Sequence, residues 1–406
     1  MGLSMRVKRE VGVEVSKRYL KASKKEKSRI LDEFVSLTGY NRSYAGCVLR
    51  GCCSKKTLKQ GKGKTKVIRK RKAKKYGKDV VSVLRSLWIT SDYICGKRLA
   101  PLLKDLVSAL ERFGELTLSK ETREKLLSIS PATIDRLLEP DRRSMELKKG
   151  RGGTKPGTLL KSQISIRTFS EWNDKRPGFV EIDLVGHDGG NGRGEFIQTL
   201  DVVDIATGWN ETIAVKNKAQ IWVFEAIETV EKLLPFKLLG IDSDNGSEFI
   251  NAHFVEYCKK KRITFTRARP YKKNDNCYVE QKNYSIVRRA VGYARYDTPE
   301  ALETLNELYS HLRLYTNFFQ PVMKLKEKTR EGSKIKKKYD VAATPYKRII
   351  ESKEISATMK SKLNRIYEKL NPAQLKRTIT SLQEKLLHIS TEARMDKPVD
   401  LEYINK

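Results

Sequence analysis

The run from Phe179 to Val185 is mostly apolar, and Leu238–Ile241 is another such run. Short apolar runs of this length are the mark of strands buried on both faces. Around them the hydrophobic period alternates between two and about three and a half. Strands are predicted at 178–185, 196–203 and 209–215, a helix at about 218–234 and a short strand at 237–242. A helix at about 247–260, a brief strand at 263–266 and a helix from Tyr278 to Tyr293 follow. Three strands in series, then strands alternating with helices, describe a mixed sheet flanked by helices.

The N-terminal part has a helical period instead. Ser23 to Glu26 is a capping-box pattern, and Ile30, Leu31, Phe34 and Leu37 follow at helical spacing. Gly39 breaks that helix and Asn41 can cap the next, Arg42 to Arg50. This is the grammar of a helix-turn-helix, which leaves Arg42, Ser43 and Arg50 to meet DNA; a plain helical hairpin uses the same grammar. Within 79–139, Val80, Val81, Val83, Leu84 and Leu87 make one apolar helix, and Leu99, Leu102, Leu103, Leu106, Leu110 and Phe113 make another. Ser130–Pro131 is a helix start. In the helix after it, Ala132 to Leu138, Ile134, Leu137 and Leu138 turn inward and Thr133 and Arg136 outward, as in a second recognition helix.

Downstream of the sheet, a helix is predicted near 299–317, then a basic stretch, KLKEKTREGSKIKKKYD, then a helical tail over about 352–390. The tail has Leu363, Ile366, Leu370, Leu375, Ile379, Leu382 and Leu386 at amphipathic spacing, for packing on its own core or for self-association. The predicted organisation is a helix-turn-helix domain (1–53), a basic linker (54–78), a second helical DNA-binding domain (79–140) and a linker (141–170). An α/β core (171–296) and a basic, mostly helical C-terminal region (297–406) complete it.

Charge sharpens this picture. The 406 residues carry a net charge of +34, an imbalance typical of polyanion binders. Residues 54–78 hold 13 Lys or Arg in 25 positions and no acid. Such a segment cannot bury a core. Beside double-stranded DNA, Arg69, Lys70, Arg71 and Lys72 would track phosphates or enter a minor groove; otherwise the segment is a solvated linker. The six cysteines form no C-x-x-C pair and only four histidines exist, which argues against a structural zinc site. Free thiols fit a reducing cytoplasm. The first ten residues lack the apolar core of a signal peptide, and no run approaches 18 apolar residues, so no membrane partner is expected.

Three acids carry the candidate chemistry. Asp183 lies in the run Phe179–Val185, Asp244 follows Leu238–Ile241 in a Gly-containing turn, and Glu280 opens a helix; 35 residues separate the last two. Phosphodiester chemistry without a covalent intermediate uses two divalent cations held by a few carboxylates. Each acid also has an ordinary explanation: a strand-end cap, an Asx turn, or an acid in a first helical turn. Asp242 is the nearest rival to Asp244, and Asp188, Asp201 and Asp204 are lesser ones.

At these residues the chain resembles the DDE transposases of bacterial insertion sequences and the retroviral-type integrases. The likeness rests on the strand-borne Asp183, the turn Asp244–Phe249, Glu280 at that spacing, and the helix start Tyr278–Asn283. It covers about residues 178–296, with a weaker likeness in the N-terminal part. It implies an α/β ribonuclease-H-like mixed-sheet core flanked by helices, with N-terminal all-α helix-turn-helix domains. It implies a metal-dependent transposase in which Asp183, Asp244 and Glu280 hold two Mg2+ ions, Mn2+ being a substitute. The element ends would be cleaved and their 3′-hydroxyls joined to target DNA by a homo-oligomer on DNA, in a bacterial, nucleoid-associated setting. Lys282 and Asn283 would contact the phosphate or flanking bases, the alternative for Lys282 being a solvated side chain. The loop 267–277, with Lys272 and Lys273, would meet DNA ends or be an ordinary surface loop. Retroviral integrases carry an N-terminal His/Cys zinc site, from which this chain departs. The rival functions are a non-catalytic DNA-binding regulator and a ribonuclease-H-type nuclease.

Overall fold

Three helices build the first of two units into which the chain divides, Met1–Ala73 and Lys74–Lys406. The computed structural model describes residues 3–51, 75–143, 165–166, 176–244, 246, 248–268, 276–331 and 334–390. Helix α1 spans Met5–Lys21, α2 Lys24–Thr38 and α3 Arg42–Leu49. The capping box at Ser23 and Glu26 forms, and Gly39 closes α2 at φ 68°, a left-handed conformation that glycine adopts without strain. Asn41 caps α3. The core is Tyr19, Ile30, Phe34, Ala45 and Leu49. Helix α1 had no counterpart in the sequence reading. Its Val11 and Val15 lie one turn apart and pack on that core. A Cβ at Gly12 would stand 3.2 Å from a Val48 methyl carbon. The helix therefore owes its place to close packing more than to residue propensity.

The second unit opens with α4 Lys78–Thr90, α5 Gly96–Arg112, α6 Lys120–Leu127, α7 Pro131–Leu137 and α8 Glu139–Arg143. Leu84, Leu87, Trp88, Leu99, Leu103, Leu106 and Ile134 interlock at its centre. Ser130 accepts the Thr133 N–H as the cap of α7, with Pro131 in the first turn.

The sheet follows. Its strands are β1 Ser165–Ile166, β2 Phe179–Gly186, β3 Gln198–Asp204, β4 Asn210–Val215, β5 Gly240–Ser243 and β6 Thr264–Arg267. Their order is β1-β6-β5-β2-β3-β4. β2, β3 and β4 form an antiparallel meander, whereas β5 runs parallel to β2 and β6 parallel to β5. Helix α9 (Gln220–Leu233) links the two halves and α10 (Ala252–Lys261) joins β5 to β6. This mixed sheet with flanking helices is the ribonuclease-H-like arrangement. β3 is buried along its whole length, because helices cover both faces.

After β6 come α11 (Cys277–Lys282), a π-helical stretch Asn283–Arg288, and α12 (Arg289–Val291). Helix α13 (Pro299–Phe319) packs on β4. The basic stretch then forms a hairpin, β7 Leu325–Glu331 with β8 Lys334–Tyr339. Helices α14 (Pro345–Glu351), α15 (Ala357–Lys369) and α16 (Pro372–Ile389) close the unit. α16 lies against α13 and also meets α4 and α5, and Leu375, Ile379, Leu382 and Leu386 of its apolar stripe are buried in the unit's own core. No helix among the described residues is long and apolar enough to cross a membrane.

Candidate active site

One face of the sheet carries a line of acids. Side chains alternate along a strand and paired residues share a face. Glu181 and Asp183 on β2 therefore point the same way. Glu181 pairs with Asp242 on β5 and Asp183 with Asp201 on β3. Helix α11 and its flanks cover this face and meet each acid with a specific group.

Glu181 Oε2 accepts the backbone N–H of Tyr278 (2.8 Å) and Val279 (2.9 Å), so a strand carboxylate caps the first turn of α11. Its Oε1 is buried without a hydrogen-bond partner. Burial, with Asp242 and Glu280 nearby, pushes the Glu181 carboxyl up to about 8. Asp183 Oδ2 accepts from the Asn283 amide at 2.7 Å, and Oδ1 from the Leu184 N–H at 2.8 Å. Burial, and then the Asp244 carboxylate, push Asp183 up to about 8 as well. Asp183 and Asp244 are thus electrostatic neighbours, brought together from adjacent parallel strands.

Asp244 leaves β5 in an Asx turn, its Oδ1 accepting the Gly246 N–H at 2.8 Å. Asn276, just before α11, accepts the Asp244 N–H (3.0 Å) and donates to Asp242 Oδ2 (3.1 Å). Asp242 is fully buried and takes a 2.5 Å hydrogen bond from Thr266 Oγ1. Asp201 is buried and bonded to the Asn210 amide. Burial pushes Asp201 up to about 7, with Lys282 pulling the other way. Asp204 accepts from Gly178 and Thr207, and Asp188 from Gly190; both organise turns.

Glu280 is exposed on α11. Among the described residues no three His, Cys, Asp or Glu side chains converge closely enough to hold a metal ion. Asp183 and Asp244 are both partly buried, and the Asp244 carboxylate adds to burial in holding back the ionisation of Asp183.

The remaining candidates fall in different places. Lys282 is a correction: it is buried rather than at the surface, because α11 turns it towards Asp201. Burial lowers its ammonium to about 8, with Asp201 supporting the charge. The Asn283 amide is engaged with Asp183. Arg42 is exposed, ion-paired with Asp32 and bonded to Ser28 Oγ at 3.1 Å. The Ser43 N–H is taken by the Asn41 cap, and Arg50 is the exposed C-cap of α3. Arg136 is exposed and donates to Thr133 Oγ1 at 3.1 Å. Arg69, Lys70, Arg71, Lys72, Lys272 and Lys273 lie outside the described residues. The sequence reading missed Glu181 and Asn276. An acid two positions before Asp183, in a strand otherwise apolar on that side, was the available signal.

The integrase core domain family matches residues 173–273. The protein y4rM of Sinorhizobium fredii (strain NBRC 101917 / NGR234), uncharacterized, is 42% identical over 350 residues, 85% of this chain and 96% of y4rM. The catalytic core domain of BIV integrase is 19% identical, over 42% of this chain and 91% of that one, at a TM-score of 0.29. The HTLV-2 integrase catalytic core domain, in complex with magnesium (dimeric form), is 18% identical, over 36% and 90%, at a TM-score of 0.28.

Proposed function

The chain belongs to the family of Sinorhizobium fredii y4rM and carries an integrase core domain, and from that premise we propose that it is a metal-dependent transposase acting on the ends of an insertion element. An integrase core is the domain of integrase- and transposase-type DNA recombination. The observation that carries the finer reading is the parallel register of β2 and β5, in which Ile182 pairs with Ser243 so that Asp183 and Asp244 follow side by side, with the helix that bears Glu280 packed on β2.

Asp183 and Asp244 would hold divalent ions, with Glu280 completing the ligand set from α11. Two bound Mg2+ or Mn2+ ions would there activate a water or a DNA 3′-hydroxyl and stabilise the leaving oxygen of an in-line displacement. The chain's own residues would keep the ligands in place. Asn283 and the Leu184 N–H each hold one Asp183 oxygen, which fixes the orientation of the carboxylate. Glu181 pins the start of α11, and Asn276 ties that start to the Asp244 backbone. Arg42, Ser43 and Arg50 on one helix and Thr133 and Arg136 on another would recognise the element ends. Arg69–Lys72, Lys272 and Lys273 would neutralise phosphates. Two ends must be held at once, so the working form would be a homo-oligomer.

The test uses the full chain, Mg2+ and duplexes bearing the DNA that flanks its gene. Cleaved and joined strands are resolved on a denaturing gel. Asp183→Asn, Asp244→Asn and Glu280→Gln should each abolish both products while end binding survives, because amides keep shape but lose ligand charge. Asp242→Asn should keep measurable activity. Full activity in Asp183→Asn would overturn the assignment. Tight binding of those ends by the wild-type chain without cleavage would favour a DNA-binding regulator.

A further inference from the structure

A cavity of about 520 Å3 lies beside the helix that bears Glu280, walled by α11, the π-helical stretch, α13, α16 and the β7–β8 hairpin. Six cationic side chains line it, Arg98, Lys282, Arg289, Lys324, Lys337 and Lys376, against one carboxylate, Asp92. Asp92 is already shared: one oxygen holds Arg289 at 2.7 Å and the other Lys376 at 2.8 Å. Lys282 has the charge of Asp201 opposite it. Arg98 donates to the Pro321 carbonyl at 2.5 Å, and Lys324 to the carbonyls of Ile205 (2.5 Å) and Ala206 (2.6 Å).

A carbonyl accepts a hydrogen bond without neutralising the charge. Burial pushes the Arg98 guanidinium down, and neighbouring Arg289 adds to this while Cys95 and Asp92 oppose it. Burial likewise lowers Lys324 to about 8, with Arg348 adding and Asp204 and Asp340 opposing. Positive charge confined in a partly dry cavity is unfavourable unless an anion joins it. The guanidinium and ammonium groups suit phosphate oxygens. Tyr278 and Tyr339 also line the cavity. The volume is that of a small-molecule site.

We propose that this cavity binds a phosphorylated ligand of nucleotide size. That chemistry has two sources, a free nucleotide or a nucleotide unit of a DNA strand, and the site adjoins the Glu280 helix in either case. The proposal does not depend on the transposase reading, and its test contains no activity measurement.

The full chain is titrated calorimetrically with ATP and, separately, with the oligonucleotide dT4, at moderate salt. Arg98→Gln and Lys337→Gln are compared with Lys362→Gln, an exposed lysine of α15. Lys337 is exposed on the hairpin, so its variant keeps the test readable if Arg98→Gln does not fold. Saturable one-to-one binding of ATP, weakened about tenfold or more by the cavity variants and unchanged in Lys362→Gln, supports a free-nucleotide site. The same pattern with dT4 alone supports a DNA-strand source. Binding of neither probe, or equal weakening by all three variants, overturns the proposal, since equal weakening is the mark of general surface attraction.

Discussion

Replacing Glu181 by Gln isolates the buried carboxylate beneath α11, and its effect on stability should depend on pH. In the folded chain Glu181 is pushed up to about 8 from an ordinary 4.5, chiefly by burial. The folded value lies above the unfolded one. Below pH 4.5 both states hold the proton, so pH does not alter stability through this group. From there to about 8, the unfolded chain releases a proton that the fold retains, and stability falls as pH rises. The slope is roughly 1.4 kcal/mol per pH unit, so the whole window is worth on the order of 5 kcal/mol. The neighbouring Asp242 and Glu280 charges contribute part of that shift. Gln removes the slope. Its carbonyl still accepts the Tyr278 and Val279 N–H groups, but its amide nitrogen takes the partnerless position of Oε1, at a pH-independent cost of about 1–3 kcal/mol. Wild type should therefore be the more stable at pH 5, and Glu181→Gln should overtake it towards pH 8. The assay is urea unfolding in EDTA at pH 5, 6, 7 and 8, followed by tryptophan fluorescence, with buried Trp209 reporting on the sheet core. Parallel pH curves for the two proteins would refute the reasoning.

Lys282→Met should cost about 3–5 kcal/mol, because it leaves Asp201 buried without its opposing charge. Adding Asp201→Asn should recover part of that loss, whereas an unchanged urea midpoint in Lys282→Met would mean that the lysine faces solvent. Arg42→Ala and Arg136→Ala should each reduce discrimination between an element end and a scrambled duplex by about 1–3 kcal/mol; competition binding that shows unchanged ratios would remove both from recognition.

The sheet was legible in the sequence because its strands are short apolar runs bounded by turns, and β2, β3 and β5 fall within two or three residues of the expected ends. Helix α1 was not legible. Its valines and Gly12 are poor helix formers, and it is held by packing against Phe34 and Val48. The β7–β8 hairpin was hidden because its alternation is mostly between charged residues, so no apolar face marks the period. Asp183, Asp244 and Glu280 could be read from type and spacing. Glu181, Asn276 and the inward turn of Lys282 could not, since they follow from how α11 lies across β2, β3 and β5. That docking is a tertiary fact with no local signature.

The claim that Asp183 and Asp244 are metal ligands for DNA joining is tested most directly by exchanging the ligand atom. Asp244→Cys replaces a hard oxygen with a soft sulfur, which Mg2+ rejects and Mn2+ tolerates better. Joined product is measured with Mg2+ and with Mn2+, for wild type and variant, on the same DNA ends. The account predicts that Asp244→Cys loses joining in Mg2+ and regains a substantial part of it in Mn2+, while wild type works in both. Wild-type levels of joining by Asp244→Cys in Mg2+ would contradict it.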